Sequence, residues 1–478
     1  MGKNIAIIDI ESQGSSTSYS SIISIAGILV SPELEVLDKF EFWCRNKPGY
    51  VPDPYSMWVN RGFEKMKNSN LSHYSMMKQL HEYINKWSPC LWSGWNSIGF
   101  DFIMLQKENY RSLFPIYITN TNGNEHSDFL PVTRASKIFY PDSIKTETSE
   151  KNNPVFRLDS IGPLNFPNMD KKKMHTAMGD CETCLDVMRQ LRKQAAPIFK
   201  AAQETTAKIK AKEKIEKTEI FTTVFYFYGK ARPYVVTYLC NHGKYTWPMV
   251  FCLENDPKDL MSLDNRSLKE SLKKPGKWVR ALPLKHPLVL DSSYGLKIDL
   301  YKELGIKLLT ERAKKIRENK EFAKRVSLIL GELAQEKQNA KDKKNKEKLS
   351  YEDSLIAGGF PTPKDQNIMK EFQSNDSWGD KYKIISKIED PRFIYFGKRL
   401  IYQNQPEILA KNEYKEIHQD IAKKILDPEE TRFTTLPMAE KLIDDIRAEK
   451  DISDEKLNYM NEIDQYLKQM RQTYETAI

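Results

Sequence analysis

The 478-residue chain is poor in cysteine: Cys44, Cys90, Cys181, Cys184, Cys240 and Cys252 are its full set, with no disulfide-framework spacing. That argues against a secreted, disulfide-stapled module and suits a reducing compartment. No basic stretch leads into an apolar core with a cleavage site at the N-terminus. The apolar run Ile22–Val30 is far short of the ~18 residues that a membrane span requires. A soluble, cytoplasmic protein with no membrane partner is therefore expected. Internal repeats are lacking, and so is a Gly-x-x-x-x-Gly-Lys loop, so nothing indicates ATP-driven chemistry. Charge is plentiful: Lys and Arg number 74 against 65 Asp and Glu, a net +9. A moderate basic excess suits a nucleic-acid enzyme, since phosphate neutralisation supplies much of such binding, but it also suits many proteins that bind nothing anionic. The length predicts two or three domains.

Three short acidic signatures stand within the first 180 residues. Ile5-Ala6-Ile7-Ile8 is an apolar run without helical periodicity, which predicts a buried strand. Side chains alternate across a strand, so Asp9 and Glu11 at its end share one face. Carboxylates that close repel one another unless a cation lies between them, and hard oxygen ligands suit Mg²⁺ or Mn²⁺. Taken alone, the pair reads more simply as a strand ending in a solvated turn. In the second signature, Trp92-Ser93-Gly94-Trp95 precedes Asn96 and Phe100-Asp101, predicting a strand end, a turn and a helix over Phe102–Tyr110. An Asp at a helix start is common in its own right. The third begins at His175, after which Ala177, Cys181, Cys184, Leu185, Met188 and Leu191 recur at helical spacing, with Asp180 in the first turns. Both Cys181 and Cys184 fall on the apolar face, so core packing is favoured over a redox or zinc pair. A His with an ordinary pKa near ~6.5 is suited to take a proton from water at neutral pH. Four carboxylates and one imidazole form the kit for metal-assisted phosphodiester hydrolysis.

The set Asp9, Glu11, Asp101, His175 and Asp180 resembles the DEDDh superfamily of 3′→5′ exonucleases, in its His subclass. Along most of its length the chain is similar to the bacterial exonuclease I family. Gly94-Trp95-Asn96 with Phe100-Asp101, and Phe156-Arg157-Leu158-Asp159, resemble elements of that family. So do Ser262-Leu263-Asp264, Leu268-Lys269-Glu270, Arg317-Glu318-Asn319, Gly359-Phe360 and Arg399-Leu400-Ile401-Tyr402. Trp95 and Ser97 depart from its usual Tyr and Asn, and Val59-Asn60-Arg61-Gly62 matches its Thr-Gly-Ile segment only loosely. The resemblance implies Mg²⁺-dependent degradation of single-stranded DNA from the 3′ end to nucleoside 5′-monophosphates, in DNA repair and recombination. Two ions are expected about 3.5–4 Å apart, with Mn²⁺ able to substitute. Asp9, Glu11 and Asp180 are assigned to the first, Asp101 to orienting the waters of the second, and His175 to proton acceptance. Asn96, Phe100 and Arg157 are assigned to substrate binding. Further implications are a monomer and a partner in the acidic C-terminal tail of single-stranded-DNA-binding protein. The alternatives are another DEDDh nuclease, of RNase or proofreading type, and a catalytically idle single-strand binder.

Three domains are expected: 1–203, an RNase H-like exonuclease domain with a mixed sheet and flanking helices; 204–349, an SH3-like β-barrel with charged flanking linkers; and 350–478, a helical domain. The middle segment reads as short antiparallel strands at Ile220–Tyr228, Pro233–Cys240 and Trp247–Leu253, broken by turn formers. Tyr226, Tyr228, Tyr238 and Trp247 suit stacking on bases, although core packing is favoured for each. Glu204–Glu219 reads as a solvated helix or a linker, and the charged run Glu336–Lys348 as a flexible linker.

Overall fold

The computed structural model describes residues 2–170, 173–274, 276–284, 286–344, 351–354 and 358–477. Strands β1 (Ile5–Ser12), β2 (Ile22–Val30), β3 (Val36–Trp43), β4 (Leu91–Ser93) and β5 (Glu125–His126) form a mixed sheet in the order β3-β2-β1-β4-β5. β1 lies at its centre, antiparallel to β2 and parallel to β4. β2 is buried throughout, as an inner strand covered on both faces must be. β3 is not among the expected strands, because exposed Val36 and Leu37 and its interspersed charges disguise an edge strand.

The alternation of β1 divides its side chains between two cores. Ile5 and Ile7 pack with Cys181, Cys184 and Leu185. Ala6, Ile8 and Ile10 join the opposite core, with Met77, Leu80 and Ile84 from one helix and Phe102 and Leu105 from another. The helices of this segment that bear on the site are α1 (Pro54–Asn60), α2 (His73–Trp87), α3 (Asp101–Arg111), α4 (Phe129–Phe139) and α5 (Ala177–Gln194). All six cysteines are free and buried, so Cys181 and Cys184 pack the core as expected.

In the middle segment, β6 (Phe221–Phe227), β7 (Lys230–Asn241), β8 (Pro248–Cys252), β9 (Val279–Ala281) and β10 (Leu290–Asp291) form an antiparallel sheet in the order β10-β6-β7-β8-β9. Among the described residues its two edge strands do not pair with each other. α6 (Lys208–Lys217) takes the helical alternative for the charged stretch before it, anchored by buried Ala211 and Ile215. α7 (Asp299–Glu318) and α8 (Lys320–Lys344) pack on one sheet face through Leu309, Ala313, Phe322 and Val326. α8 overturns part of the expected linker, since Glu336–Lys344 is helical. Ala, Gln, Glu and Lys are strong helix formers, and this stretch extends a helix already nucleated by its buried first half. Residues 345–350 lie outside the described residues.

The C-terminal segment is helical, as expected, and includes α9 (Tyr351–Ser354), α10 (Pro391–Asn404), α11 (Lys411–Leu426), α12 (Leu436–Arg447) and α13 (Asp454–Glu475). Its Phe372, Phe393, Ile421, Ile443, Met460 and Ile463 belong to the same core as Ile8 of β1. The first and third segments are thus joined by shared apolar burial. No helix among the described residues is long and apolar enough to cross a membrane.

Candidate active site

Asp9 and Glu11 continue the β1 face that carries Ile5 and Ile7, the face on which α5 packs. Asp180 lies in the first turn of that helix. The result is a trio in which carboxylate oxygens of Asp9, Glu11 and Asp180 all lie within 4.8 Å of one another. Asp101 opens α3, is 3% exposed, and accepts a hydrogen bond from the Ile10 backbone. Burial first, then the neighbouring carboxylates, push Asp9 and Glu11 well above the usual carboxylate range. Burial likewise raises Asp101 to about 7 and Asp180 to about 7, with Asp128 adding to the first and Asp159 to the second. Like charges crowded at low dielectric give this signature, and a divalent cation among them would relieve it.

A cleft of about 960 Å³ opens over the cluster. Asp9, Asn96, Phe100, Asp101, Arg157, His175 and Asp180 line it, so seven of the eight residues singled out in the sequence meet there. Glu11 lies beside them in the carboxylate trio rather than in the cleft wall. Local backbone explains the convergence. Asn96 adopts a φ of 61°, which Asn tolerates, and its N–H donates to Asp128 Oδ1 at 3.0 Å while Ile98 N–H donates to Oδ2 at 3.2 Å. That clamp holds the turn from β4 into α3. His175 has a φ of 59° directly before Thr176, whose hydroxyl caps α5 by accepting from Gly179 N–H. A Cβ on Gly179 would collide with the Lys173 carbonyl oxygen, so the turn carrying His175 folds onto the helix only because glycine stands there.

Asp159 is a residue that the sequence reading quoted but did not assign. Its Oδ2 lies 3.6 Å from His175 Nε2, and it accepts two hydrogen bonds from the Arg157 guanidinium, that from Nε at 3.0 Å. Partial burial pushes its carboxyl up, but Arg157 and His175 outweigh this and hold it below its ordinary value. The far wall was also missed. Tyr55, Trp58 and Arg61 line the cleft from the α1 region, with the Arg61 guanidinium 3.3 Å from the Trp58 ring centre. Lys456 of α13 completes it. Tyr459 seats α13 there, its hydroxyl donating to the Met57 carbonyl at 2.6 Å and accepting from Phe63 N–H at 3.1 Å. The loose match at Val59–Gly62 was the available signal for this wall.

Phe156 and Arg157 also line a second cleft of about 660 Å³, with Arg134, Lys151, Tyr226 and Tyr228. Tyr228 is 95% exposed and Tyr226 46%, with Arg134 3.5 Å above the Tyr226 ring. The core packing favoured for these two rings does not occur: Tyr228 stands in the β6–β7 turn and Tyr226 pairs with Ala231 at the turn end of the ladder. Tyr238, by contrast, packs against the small core beneath the sheet. Trp247 stacks on Tyr245 at 4.6 Å and stays partly exposed.

No family model matches the chain. Among curated proteins, exodeoxyribonuclease I of Haemophilus influenzae is 23% identical over 245 residues, 50% of this chain and 49% of that protein. The exodeoxyribonuclease I of Buchnera aphidicola is 24% identical over 161 residues, 33% of either chain. The matching stretch thus spans half or less of these curated relatives. Among solved structures, exonuclease I from Methylocaldum szegediense superposes with a TM-score of 0.80 at 18% identity, covering 98% of this chain and 99% of that one. E. coli exonuclease I in complex with a dT13 oligonucleotide gives 0.78 at 17% identity, covering 98% and 100%. Other matching structures are a zinc-bound E. coli complex with single-stranded DNA and an SSB/exonuclease I structure with an inhibitor. The chain has the exonuclease I fold from end to end.

Proposed function

We propose that this chain is a divalent-metal-dependent exonuclease that removes nucleotides from the 3′ end of single-stranded DNA. The observation that carries the reading is the convergence of Asp9, Asp101, Asp180 and His175 on one cleft, with Glu11 beside them in the carboxylate trio, from three separate stretches of chain. The donor set fits Mg²⁺ or Mn²⁺: hard carboxylate oxygens, close together, with proton affinities raised by burial and then by mutual repulsion. Asp9, Glu11 and Asp180 would hold such an ion, with Asp101 beside them for a second. Bound divalent ions would supply water activation and charge neutralisation at the scissile phosphate.

The rest of the chemistry falls to the side chains. His175, at the rim and 38% exposed, accepts the proton of the attacking water on its imidazole. Asp159, steadied by Arg157, aims that imidazole. Asn96 and Phe100 receive the terminal nucleotide, and Trp58 and Tyr55 offer ring faces to its base. Phe156 and Arg157 belong to both clefts, so the strand continues past Arg134 to the exposed rings of Tyr226 and Tyr228.

The test is a single-stranded oligonucleotide labelled at its 5′ end, run with wild type and Asp9→Ala, with and without Mg²⁺, beside a matched RNA and a 3′-blocked strand. A ladder that shortens from the 3′ end, requires Mg²⁺ and Asp9, and is absent for RNA is the expected result. Equal cleavage of RNA would move the chain to another DEDDh activity; binding without cleavage would make it an idle binder. The matching SSB/exonuclease I structure supports the acidic SSB tail as a partner. Salt-sensitive binding of a fluorescent tail peptide is expected, and an unchanged anisotropy would remove that partner.

A further inference from the structure

Where the first segment meets the C-terminal helices, a cavity of about 50 Å³ is lined by Lys47, Arg111, Ser112, Glu352, Arg399 and Gln403 among others. It shares no lining residue with the carboxylate cleft. Two independent observations mark it. First, Arg111 Nε, Ser112 Oγ, Arg399 Nε and Gln403 Nε2 are all buried without a hydrogen-bond partner among the described residues. Arg111 is 5% exposed and Ser112 1%. Three of these atoms can only donate, and the hydroxyl can. Buried donors are almost always satisfied, so four orphans around one cavity call for an acceptor inside it.

The second observation is charge. Among the described residues the cavity and its immediate surroundings hold four cations, Lys47, Arg111, Arg399 and Lys424, and three carboxylates face them. Glu108 lies 2.7 Å from Lys47 and 3.1 Å from Arg111, Glu352 2.6 Å from Lys424, and Asp420 3.7 Å from Arg399. Burial keeps His73, the remaining titratable neighbour of Glu108, neutral. Among the described residues one positive charge is left uncompensated, in an interior where unpaired charge is costly. Among the described residues Glu352 is the one carboxylate in the lining, and Lys424 donates to it and neutralises it. Water alone would satisfy the donors but not the charge.

We propose that this cavity binds a single small inorganic anion, of the halide or phosphate class, which ties the first segment to α10 and α9. A water needs roughly 10–15 Å³ of such space, so the volume admits a halide or a tetrahedral oxyanion. It is far below the ~300 Å³ and more of organic-ligand sites, so nucleotides are excluded. The inference stands apart from the nuclease reading and uses none of its residues.

Thermal unfolding of the full chain tests it, with sodium chloride, sodium phosphate or a bulky organic sulfonate added at matched ionic strength. One of the two small anions should give a saturable rise of about 2–4 °C that the sulfonate does not. The one that saturates at lower concentration identifies the anion. In Ser112→Ala/Gln403→Leu the half-saturating concentration should rise at least tenfold. Equal responses to all three salts, or an identical titration in the variant, would overturn the site. Should the variant fail to fold, wild-type crystals soaked in bromide or in arsenate decide: an anomalous peak between Arg111 and Arg399 with one of them is expected, and none with either would refute the anion.

Discussion

His175 stands 3.6 Å from Asp159 at the rim of the cleft, exposed enough to meet water yet aimed by a carboxylate. Replacing it by Ala should leave DNA affinity near wild type and cut kcat by roughly 10²–10⁴-fold, the usual scale for a lost general base; near-normal single-turnover rates would end that role. Asp159 acts through His175, so Asp159→Asn should lower kcat by about tenfold with KM unchanged, while Asp159→Glu should restore part of it. The carboxylate cluster makes a different prediction. Asp101 and Asp180 have folded-state pKa values of about 7, above the ~3.9 of an unfolded Asp. Their contribution to metal-free stability is therefore present below about pH 4 and lost as pH rises through about 7. At pH 8 in EDTA, Asp180→Asn should melt a few degrees above wild type, because one repelling charge is gone. The Mg²⁺-dependent rise in melting temperature of wild type should vanish in the variant. A variant that melts lower, with its Mg²⁺ response intact, would show that Asp180 neither repels its neighbours nor holds the ion.

Two elements carry the site, and each was legible in the sequence to a different degree. α5 was visible because its apolar spacing and the acidic first turn agree, and period-3.6 patterns are local. Its packing onto the His175 turn was not, since the need for Gly179 appears only when the Lys173 carbonyl is in place. Gly179→Ala should displace that turn, lowering kcat at least tenfold while circular dichroism stays native; an active variant would show the turn to be free of the helix. Leu457, Met460, Ile463, Leu467 and Met470 give α13 one apolar stripe in the sequence, but nothing in that stripe says what it covers. The contact that makes it a cleft wall joins Tyr459 to Met57 and Phe63, some 400 positions away, a distance at which periodicity is silent. β3 was invisible for the opposite reason, as an edge strand has a half-solvated pattern that reads as loop.

At the scale of the molecule, the first and third segments share one apolar core. Tyr74 packs against Phe114, Phe372 and Trp378, and Phe63 against Tyr459 and Tyr466, so aromatic contacts stitch the first segment to the third. Buried charge reinforces the seam. Burial pushes Glu108 and Glu352 up, but Lys47, His73 and Arg111 around the first, and Lys424, Arg399 and Arg111 around the second, hold each at about 2. Both lie below the ~4.3 of an unfolded Glu, so their stabilisation is present above that value and is lost as pH falls toward 2. His73, lowered by burial to about 3, adds a loss in the same direction from about pH 6.5 downward. Acid should therefore open this seam, and Glu352→Gln, which strands Lys424 in the interior, should cost about 3–5 kcal/mol at neutral pH. The shared core makes the strongest prediction. A chain cut after residue 350 keeps every carboxylate of the site yet exposes Phe63, Tyr74, Phe114 and the apolar edge of α2 to water. It should aggregate or bind a hydrophobic dye, while the full chain unfolds with tryptophan fluorescence and helical signal lost together. A soluble, dye-silent and active 1–350 fragment would show that the C-terminal helices clasp a domain already complete without them.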